Sequence, residues 1–171
     1  MKGFGRLIGA SVVMAMIAIA LPCLAQSLPV TAGETLSGKR IVLADAVHGQ
    51  ATILVAGFSH ASGTACGNWM KAIRADSALN GGAVYEVAEI EGAPGIFRGT
   101  IKNAMKKGLS ADEQERFVVL TQDAALWKKF FDVSNDGDAY VVLLDAKGGV
   151  VWRGHGTAEA LEPQVRRALH P

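Results

Sequence analysis

Thr52-Ile53-Leu54-Val55-Ala56-Gly57-Phe58 is an unbroken apolar run behind a single threonine. A strand wetted on one face alternates apolar and polar side chains, so a continuous run of this length reads as a central strand covered on both faces. Working outward, Arg40-Ile41-Val42-Leu43-Ala44 reads as an outer strand, reached through a short polar lead-in from Ser27 to Glu34 and left through His48-Gly49-Gln50. Downstream, a loop of small residues runs from Ser59 to Ala65 and ends at Cys66-Gly67-Asn68. A helix follows, with Trp69, Ala72, Ile73 and Leu79 near one face and Asn80-Gly81-Gly82 as its stop.

The alternation continues. Val84-Tyr85-Glu86-Val87-Ala88 is the next strand, and a helix with Phe97, Ile101, Ala104 and Met105 at i, i+4, i+7 and i+8 ends at Gly108. Lys102, Lys106 and Lys107 fall on its solvent side and last turn, where cations suit the helix dipole. Ser110-Ala111-Asp112-Glu113 is a capping box that opens a further helical turn. Phe117 to Leu120 is a third core strand, and Asp123 heads a short helix that buries Leu126, Trp127, Phe130 and Phe131. After the Ser134–Asp138 turn cluster, Ala139 to Leu144 and Val150 to Trp152 flank Asp145-Ala146-Lys147-Gly148-Gly149 as a hairpin. A last helix starts at Gly156 or Thr157 and faces Leu161, Val165, Ala168 and Leu169 inward, with Pro163 inside it. The expected fold class is α/β: a mixed sheet with helices on both faces, ending in a β-hairpin and a C-terminal helix.

Composition narrows the function classes. The 171 residues suffice for one domain with its own core, and 50% hydrophobic with 19% charged residues argues against disorder. A net charge of +1 gives no reason to expect nucleic-acid binding, and two cysteines do not make a disulfide scaffold. At the amino terminus, Lys2 and Arg6 precede an apolar run from Leu7 to Leu21, then Pro22-Cys23-Leu24-Ala25-Gln26. This is the pattern of a secretory signal, residues 1–25, ahead of a single domain over residues 26–171. The alternative is an uncleaved anchor, the only route by which the chain would contact a membrane. Cleavage after Ala25 removes two bases and no acids, leaving 15 bases and 16 acids, a charge of −1. It also removes Cys23, and Cys66 is then a lone thiol in an exported, periplasmic chain.

The element order resembles the thioredoxin fold over about Gly38 to Leu169. Gly38-Lys39-Arg40-Ile41-Val42-Leu43, followed by Gly49 to Val55, looks like the start of periplasmic thiol-disulfide oxidoreductases and peroxiredoxins. Ala139 to Asp145, with Val151-Trp152-Arg153 and Gly154-His155-Gly156, resembles the mitochondrial ATP synthase assembly factor family and its bacterial thioredoxin-like relatives.

The departures from that resemblance set the functional expectation. Thioredoxin-type enzymes use two cysteines two residues apart, one attacking as the thiolate and one resolving the mixed disulfide. Here the loop reads His60-Ala61-Ser62-Gly63-Thr64-Ala65-Cys66-Gly67-Asn68-Trp69, with one cysteine. Where the family places a cis-proline this chain has Ala139, and a cis bond without proline costs about 3 kcal/mol. In peroxiredoxins a hydroxyl residue lies three positions before the cysteine and a proline seven before, whereas Gly63 and Ser59 stand there.

Cys66 reads as a small packing residue near a helix amino terminus, a place that would favour a thiolate if it served chemistry. A metal alternative is His60, Cys66 and His155 gathered at one sheet edge with Glu91 in reach, a donor set suited to copper(I) or zinc. Copper chaperones of the Sco type share the resembled fold but use two cysteines and a histidine. Helical spacing reads Trp69 and Trp127 as core, with Trp152 less settled.

The sequence therefore predicts an exported binding or assembly factor of the cell envelope without a cofactor. Its partner would be an envelope protein met through Trp69, Glu91, Pro94, Ala139, Trp152 and His155. The alternatives are a one-cysteine thiol peroxidase or transferase acting through Cys66, and a copper-handling protein.

Overall fold

The computed structural model describes residues 27–169. The signal or anchor assigned to residues 1–25 lies outside the described residues, as does His170. A single seven-stranded sheet runs in the order β2 (Arg40–Val42), β1 (Ala32–Thr35), β5 (Phe117–Leu120), β4 (Ala83–Glu89), β3 (Thr52–Gly57), β6 (Tyr140–Leu144), β7 (Val150–His155). Its centre is the continuous apolar run: β3 (Thr52–Gly57) is buried at every position. It pairs in parallel with β4 (Ala83–Glu89) and antiparallel with β6 (Tyr140–Leu144), in the registers Val55↔Glu86 and Ala56↔Tyr140. β5 (Phe117–Leu120) lies parallel to β4, and β7 (Val150–His155) closes the hairpin on β6.

Side chains of β3 and β6 alternate between two cores. Leu54, Ala56, Phe58, Tyr140, Val142 and Leu144 pack on one face with Trp127, Phe130 and Phe131 of α5 (Ala124–Phe131). Edge-on ring contacts, Phe58–Phe131 at 5.6 Å and Phe130–Phe131 at 5.2 Å, contribute about 1 kcal/mol each beyond their buried area. On the other face Ile53, Val55, Val141 and Leu143 meet Trp69 and Ile73 of α2 (Gly63–Ala75) and Val165 of α6 (Ala158–Leu169). α3 (Gly95–Met105) and α4 (Ala111–Arg116) connect β4 to β5, and Ser110 and Glu113 make both halves of the expected capping box. Pro163 does lie inside α6.

The structure differs from the sequence reading at several points; α2 stops at Ala75, so Leu79, expected on that helix, lies beyond its end. The outer strand expected over Arg40–Ala44 is only β2 (Arg40–Val42), after which the chain turns into α1 (Leu43–Ala46). One helical turn brings Leu43, Ala44 and Val47 to the same core, whereas in an extended strand the neighbours Leu43 and Ala44 would face opposite sides. The polar lead-in contains β1 (Ala32–Thr35), which bridges β2 and β5. Leu126 is 55% exposed, because the inward stripe of α5 is Trp127, Phe130 and Phe131 at i, i+3 and i+4 and Leu126 lies about 100° round the helix from Trp127. α3 buries no residue; Phe97 is 54% exposed and Ile96 84%, and Lys102 is tucked against Glu34 at 2.7 Å rather than left in solvent.

Candidate functional site

Parallel β3, β4 and β5 end at the sheet edge where antiparallel β6 begins, so the connections after them gather there with the end of β7. In mixed α/β sheets this carboxyl edge is where binding groups accumulate. Cys66 sits beneath it.

α2 begins at Gly63, three residues before Cys66, so the Cys66 amide is already spent on the Ser62 carbonyl at 2.9 Å. The thiol turns inward. It is 3% exposed, packed with Val55, Trp69 and Ala139. Gly57 makes room for it: a Cβ there would stand 3.0 Å from Cys66 Sγ and 2.6 Å from Ser62 Oγ. Burial, reinforced by the Glu86 carboxylate, pushes the thiol up to about 12, against the smaller downward pull of the Ser62 hydroxyl and the helix backbone. At neutral pH this sulfur is a thiol. The thiolate that a helix start would favour is not what this geometry stabilises.

The other expected site residues divide into covered and exposed groups. Trp69 is fully buried and donates its indole N–H to the Gly156 carbonyl at 2.9 Å, while the Gly156 amide donates to Ala139 at 3.0 Å. That chain of bonds ties α2 to the ends of β6 and β7, and it leaves Trp69 and Ala139 no surface to offer. The chain has no cis peptide among the described residues, so Ala139 enters β6 in the trans form. Trp152 lies flat along its own strand: a Cβ at Gly154 would stand 2.7 Å from the indole, and the ring packs toward Leu161.

His155 is exposed, stacks on Tyr140 at 5.1 Å and places Nδ1 2.8 Å from Asp138. Glu91 reaches across the edge to accept the Ala124 amide at the start of α5, 2.7 Å away, and Pro94 stands exposed as the cap of α3. Arg98 locks this loop by donating to the carbonyls of Ala93 and Glu91 at 2.9 and 2.8 Å. His60 is exposed, and His60, Cys66 and His155 do not form a donor set: among the described residues no three His, Cys, Asp or Glu side chains are placed to hold a metal.

Two features escaped the sequence reading. Ile96 and Phe97 form an exposed apolar pair directly beside Glu91–Pro94. The signal was in the sequence: consecutive large apolar residues on a helix point about 100° apart, so both cannot share the inward stripe. The second is Glu86, which strand alternation alone cannot assign to a wet or a covered face. Its register beside Val55 and Phe117 aims it beneath α2 and α4.

No protein-family model matches the sequence, and no curated protein does. Solved structures do match. The thioredoxin domain of a thiol-disulfide oxidoreductase from Bacteroides vulgatus superposes with a TM-score of 0.58 at 16% identity, over 85% of this chain and 97% of that one. The exposed lipoprotein thioredoxin Etrx1 of Streptococcus pneumoniae strain TIGR4 gives 0.54 at 18% identity, over 80% and 97%. BsSco, a member of the Sco family of cytochrome c oxidase assembly proteins, gives 0.56 at 14% identity, over 85% and 95%. These likenesses carry the architecture and nothing narrower. Their agreement with the sheet order and the helices on both faces places the chain in the thioredoxin-like fold.

Proposed function

We propose that this is an exported thioredoxin-fold protein that works by binding, as an assembly or maturation factor of the cell envelope, and not by exchanging disulfides. The observation that carries the reading is Cys66: one buried sulfur, held protonated, with no second thiol among the described residues to resolve a mixed disulfide. The export pattern of residues 1–25 and the likeness to an exposed lipoprotein thioredoxin support the compartment. The likeness to an assembly protein of the Sco family supports the type of work. The contact surface is the carboxyl edge around Glu91, Pro94, Ile96, Phe97 and His155, where the large apolar side chains Ile96 and Phe97 are exposed.

A one-cysteine thiol oxidoreductase is the second reading, favoured by the Ser62 hydroxyl and the helix backbone that favour a Cys66 thiolate against burial. One experiment separates the two. Tagged protein is crosslinked in envelope preparations, and the captured partners are compared for wild type, Cys66→Ser and the double variant Ile96→Asp/Phe97→Asp. The binding reading expects the same partners with Cys66→Ser and their loss with the double variant. Loss with Cys66→Ser alone transfers the function to the thiol.

A further inference from the structure

Glu86 stands on the floor of a cleft that the carboxyl edge does not use. Strand alternation puts it on the face of Val84, and α2 and α4 pass above with Ile73, Leu109 and Phe117 as apolar walls. The cleft encloses about 330 Å³ over the amino-terminal half of β4 and the start of β5. Arg74 of α2 and Glu113 of α4 meet across it at 2.5 Å. Arg74 is bonded to Glu113 and shares its charge with Glu86, and among the described residues no donor hydrogen-bonds Glu86. A half-buried carboxylate that accepts no hydrogen bond and shares the Arg74 charge with Glu113 can take a further cation.

We propose that this cleft binds a small organic cation, with an ammonium group against the Glu86 carboxylate and an apolar body along Ile73, Val84 and Phe117. The carboxylate on the floor disfavours an anion, and a purely apolar guest would displace its water without giving it a hydrogen bond. The volume is that of the smallest ligand pockets and suits a guest of about nine to fifteen heavy atoms. The site lies away from the carboxyl edge and does not rest on the partner-binding reading.

Burial pushes the Glu86 carboxyl up to about 7, with Arg74 opposing and Glu113 reinforcing the shift. The charged groups facing the cleft are Arg74 from α2 and Asp112, Glu113 and Arg116 from α4, and the nearby Cys66 thiol is neutral. A cation selects the ionised form of Glu86, so its affinity rises by about tenfold between pH 6 and pH 8 as that form goes from the minor to the major species.

The test uses 2-phenylethylamine as probe and 2-phenylethanol as its neutral counterpart, each titrated into the 15N-labelled protein at pH 6 and pH 8. The expected result is saturable shifts at the amides of Val84, Glu86 and Phe117, with a Kd on the order of 1 mM for the amine at pH 8, ordinary for a guest of this size. The alcohol binds at least about tenfold more weakly. Glu86→Gln, whose unchanged spectrum elsewhere reports folding, removes the preference of amine over alcohol and the pH dependence. Met70→Trp, which fills the cleft without touching the carboxylate, removes binding altogether. Equal binding of amine and alcohol, no saturation by about 20 mM amine, or an amine affinity unchanged by either variant overturns the proposal.

Discussion

Replacing Glu86 with glutamine should remove a pH-dependent weakness from the fold. In the folded chain the carboxyl sits at about 7, against an ordinary 4.5, chiefly because burial disfavours its ionised form. Below about pH 4.5 both folded and unfolded chains hold the proton, and the residue is neutral in each. Between there and about 7 the unfolded chain releases its proton while the folded chain keeps it, so stability falls as pH rises. Above 7 both are ionised and the penalty is complete.

The gap corresponds to roughly 3 kcal/mol at most. Glu86 lines an open cleft, and water there returns part of the penalty, leaving on the order of 1–3 kcal/mol. Glutamine keeps the shape and carries no charge, so the wild type should lose that much relative to Glu86→Gln between pH 4.5 and pH 8. Urea unfolding at four pH values reads the effect as a midpoint difference that grows by about 1 M across the range. Keeping below pH 8.5 avoids the Cys66 thiol, which ionises in the unfolded chain near 9. A difference that stays flat with pH, or shrinks as pH rises, refutes the placement of Glu86.

Gly57→Ala should destabilise by about 1–3 kcal/mol, because the new methyl meets Ser62 Oγ at 2.6 Å and Cys66 Sγ at 3.0 Å; urea unfolding checks it, and faster alkylation of Cys66 should accompany the loss. Trp69→Phe keeps most of the buried ring but abandons the bond to the Gly156 carbonyl, and a loss of about 1–3 kcal/mol with faster hydrogen exchange at the Gly156 amide is expected. Ile96→Asp and Phe97→Asp should change stability by less than about 0.5 kcal/mol, measured by thermal unfolding, since neither side chain is buried.

The parts of the fold fixed by local pattern were legible in the sequence. The run at Thr52–Phe58, the hairpin around Asp145–Gly149 and the box at Ser110–Glu113 each specify a local structure strongly enough to survive packing. What escaped depends on distant neighbours. Ala32-Gly33-Glu34-Thr35 carries no strand pattern and becomes β1 between β2 and the edge that β5, more than eighty residues away, offers it. The periodicity of α3 marked an apolar stripe at Phe97 without revealing that nothing covers that end of the stripe. The site divided in the same way. The solitary cysteine and the missing proline were visible directly, whereas the thiol's inward turn depended on α2 starting at Gly63, and sequence periodicity does not resolve helix ends to that precision. Trp69, expected both as core and as contact surface, is core only.

The account stands on the protonated, buried state of Cys66, and its alkylation rate as a function of pH tests that state. Native protein is treated with iodoacetamide between pH 6 and pH 9.5, and peptide mass spectrometry follows Cys66 separately from Cys23. With the thiol held at about 12 against its ordinary 9.0, the folded chain should react about a thousandfold more slowly than the urea-unfolded chain at neutral pH, with no inflection in this range. A Cys66 that reacts in the native protein as fast as in the unfolded one, with an inflection below pH 7, would contradict it.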